Sequence, residues 1–355
     1  MALTPEQLVR PEILALKAYH VSDSAGMIKL DAMENPYLLP EEVRQGLAQA
    51  LANAEINRYP EPTGARVRAL LAQKMEVPAG MEMLLGNGSD DLIQMVTFTL
   101  ARPGAAMLFV EPTFVMYRMN AILSGMRPVG VPARGDFSLD KDALKAAIRE
   151  HKPALVFIAY PNNPTGVLFN EDDIADVIRT TDGLVVLDEA YHVFARRSFM
   201  HRLPEFPNLV VMRTLSKVGL AGIRLGYLAA RPEWVIQFNK VRQAYNVSVL
   251  TQVAAEYVMA HAEIFDRQAD LILAERESVR KGLESLPGVT VFPSAANFFL
   301  ARVPDATRTF EGMKQRGVLV RNFHGAHPLL ENCLRITVGT PEENRKMLSA
   351  ISAAL

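Results

Sequence analysis

LVVLDEAY, residues 184–191, decides how this chain folds. Leu184 to Leu187 form an apolar run with no polar face, so it reads as a strand buried on both sides. The run stops at Asp188 and passes into EAYHVF. Outward in both directions the same unit recurs. LVVMR at 209–213 leads into TLSK, and LVFIAY at 155–160 leads into PNNPTG. MLFV at 107–110 leads into EPTF and a helical segment; MLL at 83–85 leads into GNGSDD and the helical LIQMVTFTL. Short buried strands alternating with helices imply a mostly parallel sheet sandwiched by helices. Such sheets bind ligands beyond the carboxyl ends of their strands, where every one of these polar motifs falls.

After Pro232 the pattern changes. Residues 233–285 read as long helices. VTVFP, NFFLARV, VLVRNF and CLRITVG then alternate like strands of a second sheet, and MKQRG and EENRKMLSAISAAL read as helical. The fold expected is α/β, with a large domain over 36–245 and a smaller α/β domain from 1–35 and 246–355. A length of 355 residues suits one large unit plus a smaller one.

Composition narrows the function. With 38 basic and 39 acidic side chains the net charge is −1, which gives no global pull toward nucleic acid or an anionic membrane. No apolar run approaches the roughly 18–20 residues of a membrane span. MALTPEQLVRPEILALK has no basic-then-apolar leader pattern, so a cytoplasmic location is expected. The single cysteine, Cys333, cannot form an internal disulfide or a Cys-based zinc cluster and is expected to be packed. The seven histidines suggest no metal site; His324 and His327, in RNFHGAHP, read as a surface loop or a substrate-side contact.

The strand-end motifs fit one chemistry when taken together. Lys217, in TLSK, is a solvated lysine if read alone. As a nucleophile it must be partly neutral, with its pKa well below the free value of ~10.4. Burial beside a cation lowers it, and Arg224 lies seven positions on. Asp188 is a turn residue if read alone; a buried carboxylate there also keeps a proton on the pyridine nitrogen of pyridoxal 5'-phosphate (PLP), an electron sink only while protonated. Tyr191 and Asn163, the latter in PNNPTG, are candidate donors to the cofactor's phenolic oxygen. GNGSDD is a plain strand-to-helix turn or a phosphate cradle of backbone N–H groups, with Ser89 as helix N-cap. Ser216 and Arg224 complete that cradle, Arg224 through charge-assisted hydrogen bonds. Neither GxGxxG nor GxxxxGK[ST] occurs, nor HExxH, nor GxSxG.

PNNPTG, VVLDEAY and TLSK with a following arginine resemble the fold-type-I PLP transferases, specifically the aminotransferases, over essentially the whole chain. ENPY at 34–37, RYPEPTG at 58–64, VLVRNF at 318–323 and CLRITVGT at 333–340 resemble the histidinol-phosphate aminotransferase subgroup. The resemblance implies that Lys217 is the Schiff-base lysine and that Asp188 pairs with the pyridine nitrogen. It implies that Asn163 and Tyr191 meet the phenolic oxygen, and that Ser89, Asp90, Ser216 and Arg224 hold the phosphate. Tyr59 would reach that phosphate from the second subunit of a homodimer. Arg335 and Arg321 would recognise the substrate, with Tyr19 and Asn35 near it.

Three positions depart from the family pattern. Phe114 stands at the ring-stacking position that is often Tyr, Met33 replaces the first Asn of an N-E-N-P run, and VGLAGI is a residue shorter than in some relatives. The reaction implied is transfer of the amino group of L-histidinol phosphate to 2-oxoglutarate, giving imidazole acetol phosphate and L-glutamate, in histidine biosynthesis. Three other readings share the scaffold: an aromatic amino-acid aminotransferase, a decarboxylase of the threonine-phosphate type, and a non-catalytic PLP-binding regulator. The regulator would carry an added DNA-binding domain, whereas here only about 80 residues precede the first cofactor strand.

Overall fold

A computed structural model describes residues 3–18 and 21–355. Strand β1 is Ile28–Lys29; then follow β2 Glu82–Asn87, β3 Ala106–Glu111, β4 Arg127–Pro132, β5 Leu155–Ala159, β6 Leu184–Asp188, β7 Leu209–Thr214 and β8 Leu225–Ala230. The last seven form one sheet in the order β2-β8-β7-β6-β5-β3-β4. β8 runs antiparallel to both its neighbours, and the other pairings are parallel. The carboxyl ends of β2, β3, β5, β6 and β7 and the start of β8 therefore share one edge.

The apolar strand runs are buried throughout β5, β6 and β7. Val185, Val186 and Leu187 are fully buried, and each such side chain stabilises the fold by about 1.5–3 kcal/mol. A charged residue at Val186 would break this layer. β4, in RPVGVP, was not legible as a strand; it carries two prolines and a glycine and survives because it pairs only with β3, at the sheet edge. β8, in LGYLAA, was also missed, because small residues weaken the apolar signal.

The smaller unit holds β9 Thr290–Val291, β10 Phe298–Arg302, β11 Val318–Leu319, β12 Arg321–Asn322 and β13 Cys333–Thr337. Four of them form an antiparallel sheet in the order β12-β13-β10-β9. VLVRNF, read as one strand, splits at Val320: β11 pairs in parallel with β1, and β12 pairs with β13. Cys333 is fully buried.

β1 joins the smaller unit, yet Arg10 donates from Nη2 to the carbonyl of Leu123 in the larger one at 2.7 Å. Val247, Ala255, Val258 and Met259 pack in the core beneath the large sheet, whereas Ile272, Val279 and Leu283 pack in the smaller core.

Candidate active site

A cavity opens at the shared edge. Its lining includes Ser89, Asp90, Phe114, Asn163, Asp188, Tyr191, Ser216, Lys217 and Arg224, together with Met33 and Tyr117. Residues from the carboxyl ends of five strands and from the start of β8 thus converge, as strand direction dictates.

Lys217 follows β7 in a short turn-rich segment. Its Nζ donates to the carbonyl of Ala32 at 2.7 Å. Burial and, after it, the positive charge of Arg335 lower its pKa from 10.5 to about 8. The cation expected from the sequence was Arg224; Arg335 supplies that field across the interface between the two units, a relation that spacing along the chain cannot show. Arg224 instead lies toward Ser216 and Asp90, each at 3.4 Å.

Asp188, at the end of β6, is buried, which raises its carboxyl pKa from 3.8 to about 6 against the lowering effect of two donors. Its Oδ1 accepts from the Ala190 N–H at 3.1 Å and its Oδ2 from the Tyr117 hydroxyl at 2.8 Å. Tyr117 was not singled out from the sequence. Its position three residues after Phe114, one helical turn on, is the signal that could have found it. Tyr191 is buried and packs edge-on against Phe298, with ring centroids 5.2 Å apart.

The turn after β2 is built for close approach. The helix Gly88–Leu100 begins at Gly88, with Asn87 as N-cap, so Ser89 lies in the first turn and is not the N-cap. Gly88 has φ +78, and a Cβ there would sit 2.6 Å from Arg224 Nη2. A Cβ on Gly226 would sit 2.7 Å from Gly88 C. Two glycines therefore let the guanidinium and the helix N-terminus meet, an arrangement suited to an anion.

Arg335, on β13, is buried with its guanidinium over the rings of Phe298 and Phe323, 5.5 and 5.2 Å from their centroids. It donates to Asn163 Oδ1 at 2.5 Å and to the Asp31 carbonyl at 2.6 Å. Arg321 lies directly opposite Arg335 in the β12–β13 register. Asn35 does not line this cavity; it lines an adjoining one, where its amide donates to the Val218 carbonyl at 2.8 Å and to Gln268 at 2.9 Å. Tyr59 is 80 % exposed and stacks on Tyr245 at 4.4 Å. Tyr19 lies outside the described residues. His327 Nδ1 accepts from the Leu329 N–H, and His324 Nδ1 lies 3.3 Å from Glu331, so both sit in loop contacts.

These residues fit PLP. A half-buried lysine of lowered pKa, a buried carboxylate and a glycine-lined helix N-terminus beside an arginine match its aldehyde, ring nitrogen and phosphate. Among the described residues no helix is long and apolar enough to cross a membrane.

Residues 25–351 match the family model described as aminotransferase class I and II. The histidinol-phosphate aminotransferase of Chromobacterium violaceum is 54% identical over 99% of each chain. Histidinol-phosphate aminotransferase 2 of Cupriavidus pinatubonensis is 53% identical over 99% of this chain and 97% of its own. The histidinol-phosphate aminotransferase of Sinorhizobium meliloti, solved in complex with pyridoxal-5'-phosphate, superposes with a TM-score of 0.85 at 25% identity, covering 97% of this chain and 96% of that one. The chain is a PLP-dependent enzyme that belongs to the class I and II aminotransferases and, among them, to the histidinol-phosphate aminotransferase family.

Proposed function

We propose that this enzyme transfers the amino group of L-histidinol phosphate to 2-oxoglutarate, yielding imidazole acetol phosphate and L-glutamate in histidine biosynthesis. PLP supplies, when bound, an aldehyde that captures the amine and a ring that withdraws electrons. Lys217 holds the cofactor and, as a neutral amine, moves a proton at Nζ from the amine-bearing carbon of the donor. Asp188 holds the proton on the ring nitrogen. Asn163 and Tyr191 serve the phenolic oxygen, and Phe114 takes the ring face. Ser89 and Asp90, through backbone N–H groups, bind the cofactor phosphate with Ser216 and Arg224.

The observation that carries the substrate reading is the pairing of Arg335 with Arg321. Their register puts two guanidinium groups at neighbouring positions of one sheet, a spacing suited to a dianion. Histidinol phosphate has a phosphate ester in place of the α-carboxylate of an amino acid. Arginine forks bind phosphate bidentately. Asn35 acts on the site from the adjoining cavity, by holding the carbonyl of Val218 next to Lys217.

The active unit is a homodimer in the cytoplasm. Tyr59, Ile56 and Leu38 are each more than 70 % exposed, as expected of side chains that a partner subunit covers, and Tyr59 would reach the partner's cofactor phosphate. The test is a transamination assay with 2-oxoglutarate and a panel of donors that includes histidinol phosphate and phenylalanine. A kcat/KM for phenylalanine above that for histidinol phosphate would replace this reading with the aromatic one.

A further inference from the structure

Among the described residues, the buried hydroxyl of Tyr117 has one hydrogen-bond partner, the carboxylate of Asp188. Tyr117 is fully buried, stacked face to face on Phe157 with centroids 4.6 Å apart, and edge-on to Phe114 at 5.7 Å. Two ring contacts fix its plane, and the hydroxyl is carried to Asp188 Oδ2 at 2.8 Å. The Ala190 N–H takes Oδ1 at 3.1 Å. Each carboxylate oxygen thus has one donor, and the plane of the carboxyl group is set from both sides.

We propose that Tyr117 is a positioning residue that keeps Asp188 ionised and oriented toward the ring nitrogen of PLP, so that the ring proton stays on nitrogen. This rests on the cofactor reading above. The physical reason is a balance of opposing influences. Burial, with Asp90 and Glu189 nearby, favours the protonated acid; the Tyr117 hydroxyl and the Ala190 N–H favour the carboxylate. No arginine or lysine is among the groups that act most strongly on Asp188, so neutral donors have to hold the charge. A hydrogen bond to a buried charged group is among the stronger ones in a protein. Without the hydroxyl, the carboxyl group becomes the better base and draws the proton off the ring nitrogen. The proton then sits on Asp188, and the ring withdraws fewer electrons. Tyr117 itself stays protonated, because burial and the adjacent carboxylate push its pKa well up.

The test uses the holoenzyme loaded with PLP carrying 15N in the ring, compared as wild type and Tyr117→Phe. Phenylalanine keeps the stack on Phe157 and removes only the donor. The wild-type nitrogen signal should lie at the protonated-ring end of its range, and that of Tyr117→Phe should move toward the unprotonated end. kcat should fall about tenfold, on the order of one lost charge-assisted hydrogen bond, while KM for the donor stays within about twofold. A series of fluorotyrosines at position 117 covers a phenylalanine variant that does not fold. These keep the hydroxyl and grade its donor strength, so kcat and the nitrogen signal should track that strength. A wild-type nitrogen signal in Tyr117→Phe, or a flat response across the series, overturns the proposal alone. Failure of the wild type to bind PLP overturns the functional reading and this proposal together.

Discussion

Arg335 Nη1 donates to Asn163 Oδ1 at 2.5 Å and joins β13 of the smaller unit to the turn after β5 in the larger one. The contact places a residue proposed for substrate against one proposed for the cofactor's phenolic oxygen. It also brings the positive field of Arg335 to Lys217. One guanidinium therefore both holds Asn163 and lowers the pKa of Lys217.

Arg335→Lys should lose about a hundredfold or more in kcat/KM on histidinol phosphate, corresponding to roughly 2–5 kcal/mol for a desolvated charge contact. A lysine keeps the charge but not the fork that serves Asn163 and the Asp31 carbonyl together. Arg321→Ala should raise KM. Cofactor absorbance should persist in both variants. Full activity in both would remove the phosphate-recognition role.

Lys217 should set the pH dependence of cofactor capture. Its pKa in the folded protein is lowered from 10.5 to about 8, and only the neutral amine attacks an aldehyde. Stopped-flow mixing of cofactor-free protein with PLP should show a rate that rises with pH below about 8 and levels off above it. Because the unfolded chain holds this proton more tightly, the same group makes the cofactor-free protein more stable as pH rises from about 8 to 10.5. A capture rate still climbing steeply at pH 10 would contradict the lowered pKa. Borohydride reduction followed by peptide mapping should label Lys217.

Asp188→Asn should retain PLP, because the phosphate contacts remain, and should turn over far more slowly, because an amide cannot hold the ring proton. Asp188 in the folded protein releases its proton at about 6 instead of 3.8. Its ionisation therefore opposes folding, and the cofactor-free protein loses up to about 3 kcal/mol of stability as pH rises through that window. Denaturant titrations of cofactor-free wild type and Asp188→Asn across pH 4 to 6.5 should show this slope only in the wild type. Near-normal turnover in the variant would reduce Asp188 to a turn residue.

Tyr59→Ala and Lys217→Ala, each inactive alone, should regain activity when mixed and allowed to exchange subunits. In the mixed dimer one site carries both lesions and the other carries neither. Tyr59 is held by its stack on Tyr245 while 80 % exposed, which leaves it free to reach a second chain. No recovery after demonstrated subunit exchange would argue against a shared site.

The sequence by itself determined five strands of the large sheet and the residues that follow them. Buried parallel strands need apolar residues on both faces, so LVFIA, LVVLD and LVVMR stand out as runs, and the polar residues that end them fall where strand direction puts a ligand. Ser89, Asp90, Phe114, Asn163, Asp188, Tyr191, Ser216, Lys217 and Arg224 line one cavity for that reason. Strands with proline or small residues, β4 and β8, lacked the apolar signal, and the break at Val320 was hidden because β11 and β12 differ only in their partners. Only the tertiary structure decided that Arg335, 118 positions from Lys217, is the cation that acts on it most strongly, and that the hydroxyl of Tyr117 meets Asp188 across 71 positions. Electrostatic fields and buried hydrogen bonds act through space over a few ångströms, and a chain records its neighbours in space only where periodicity or a turn brings them near in sequence.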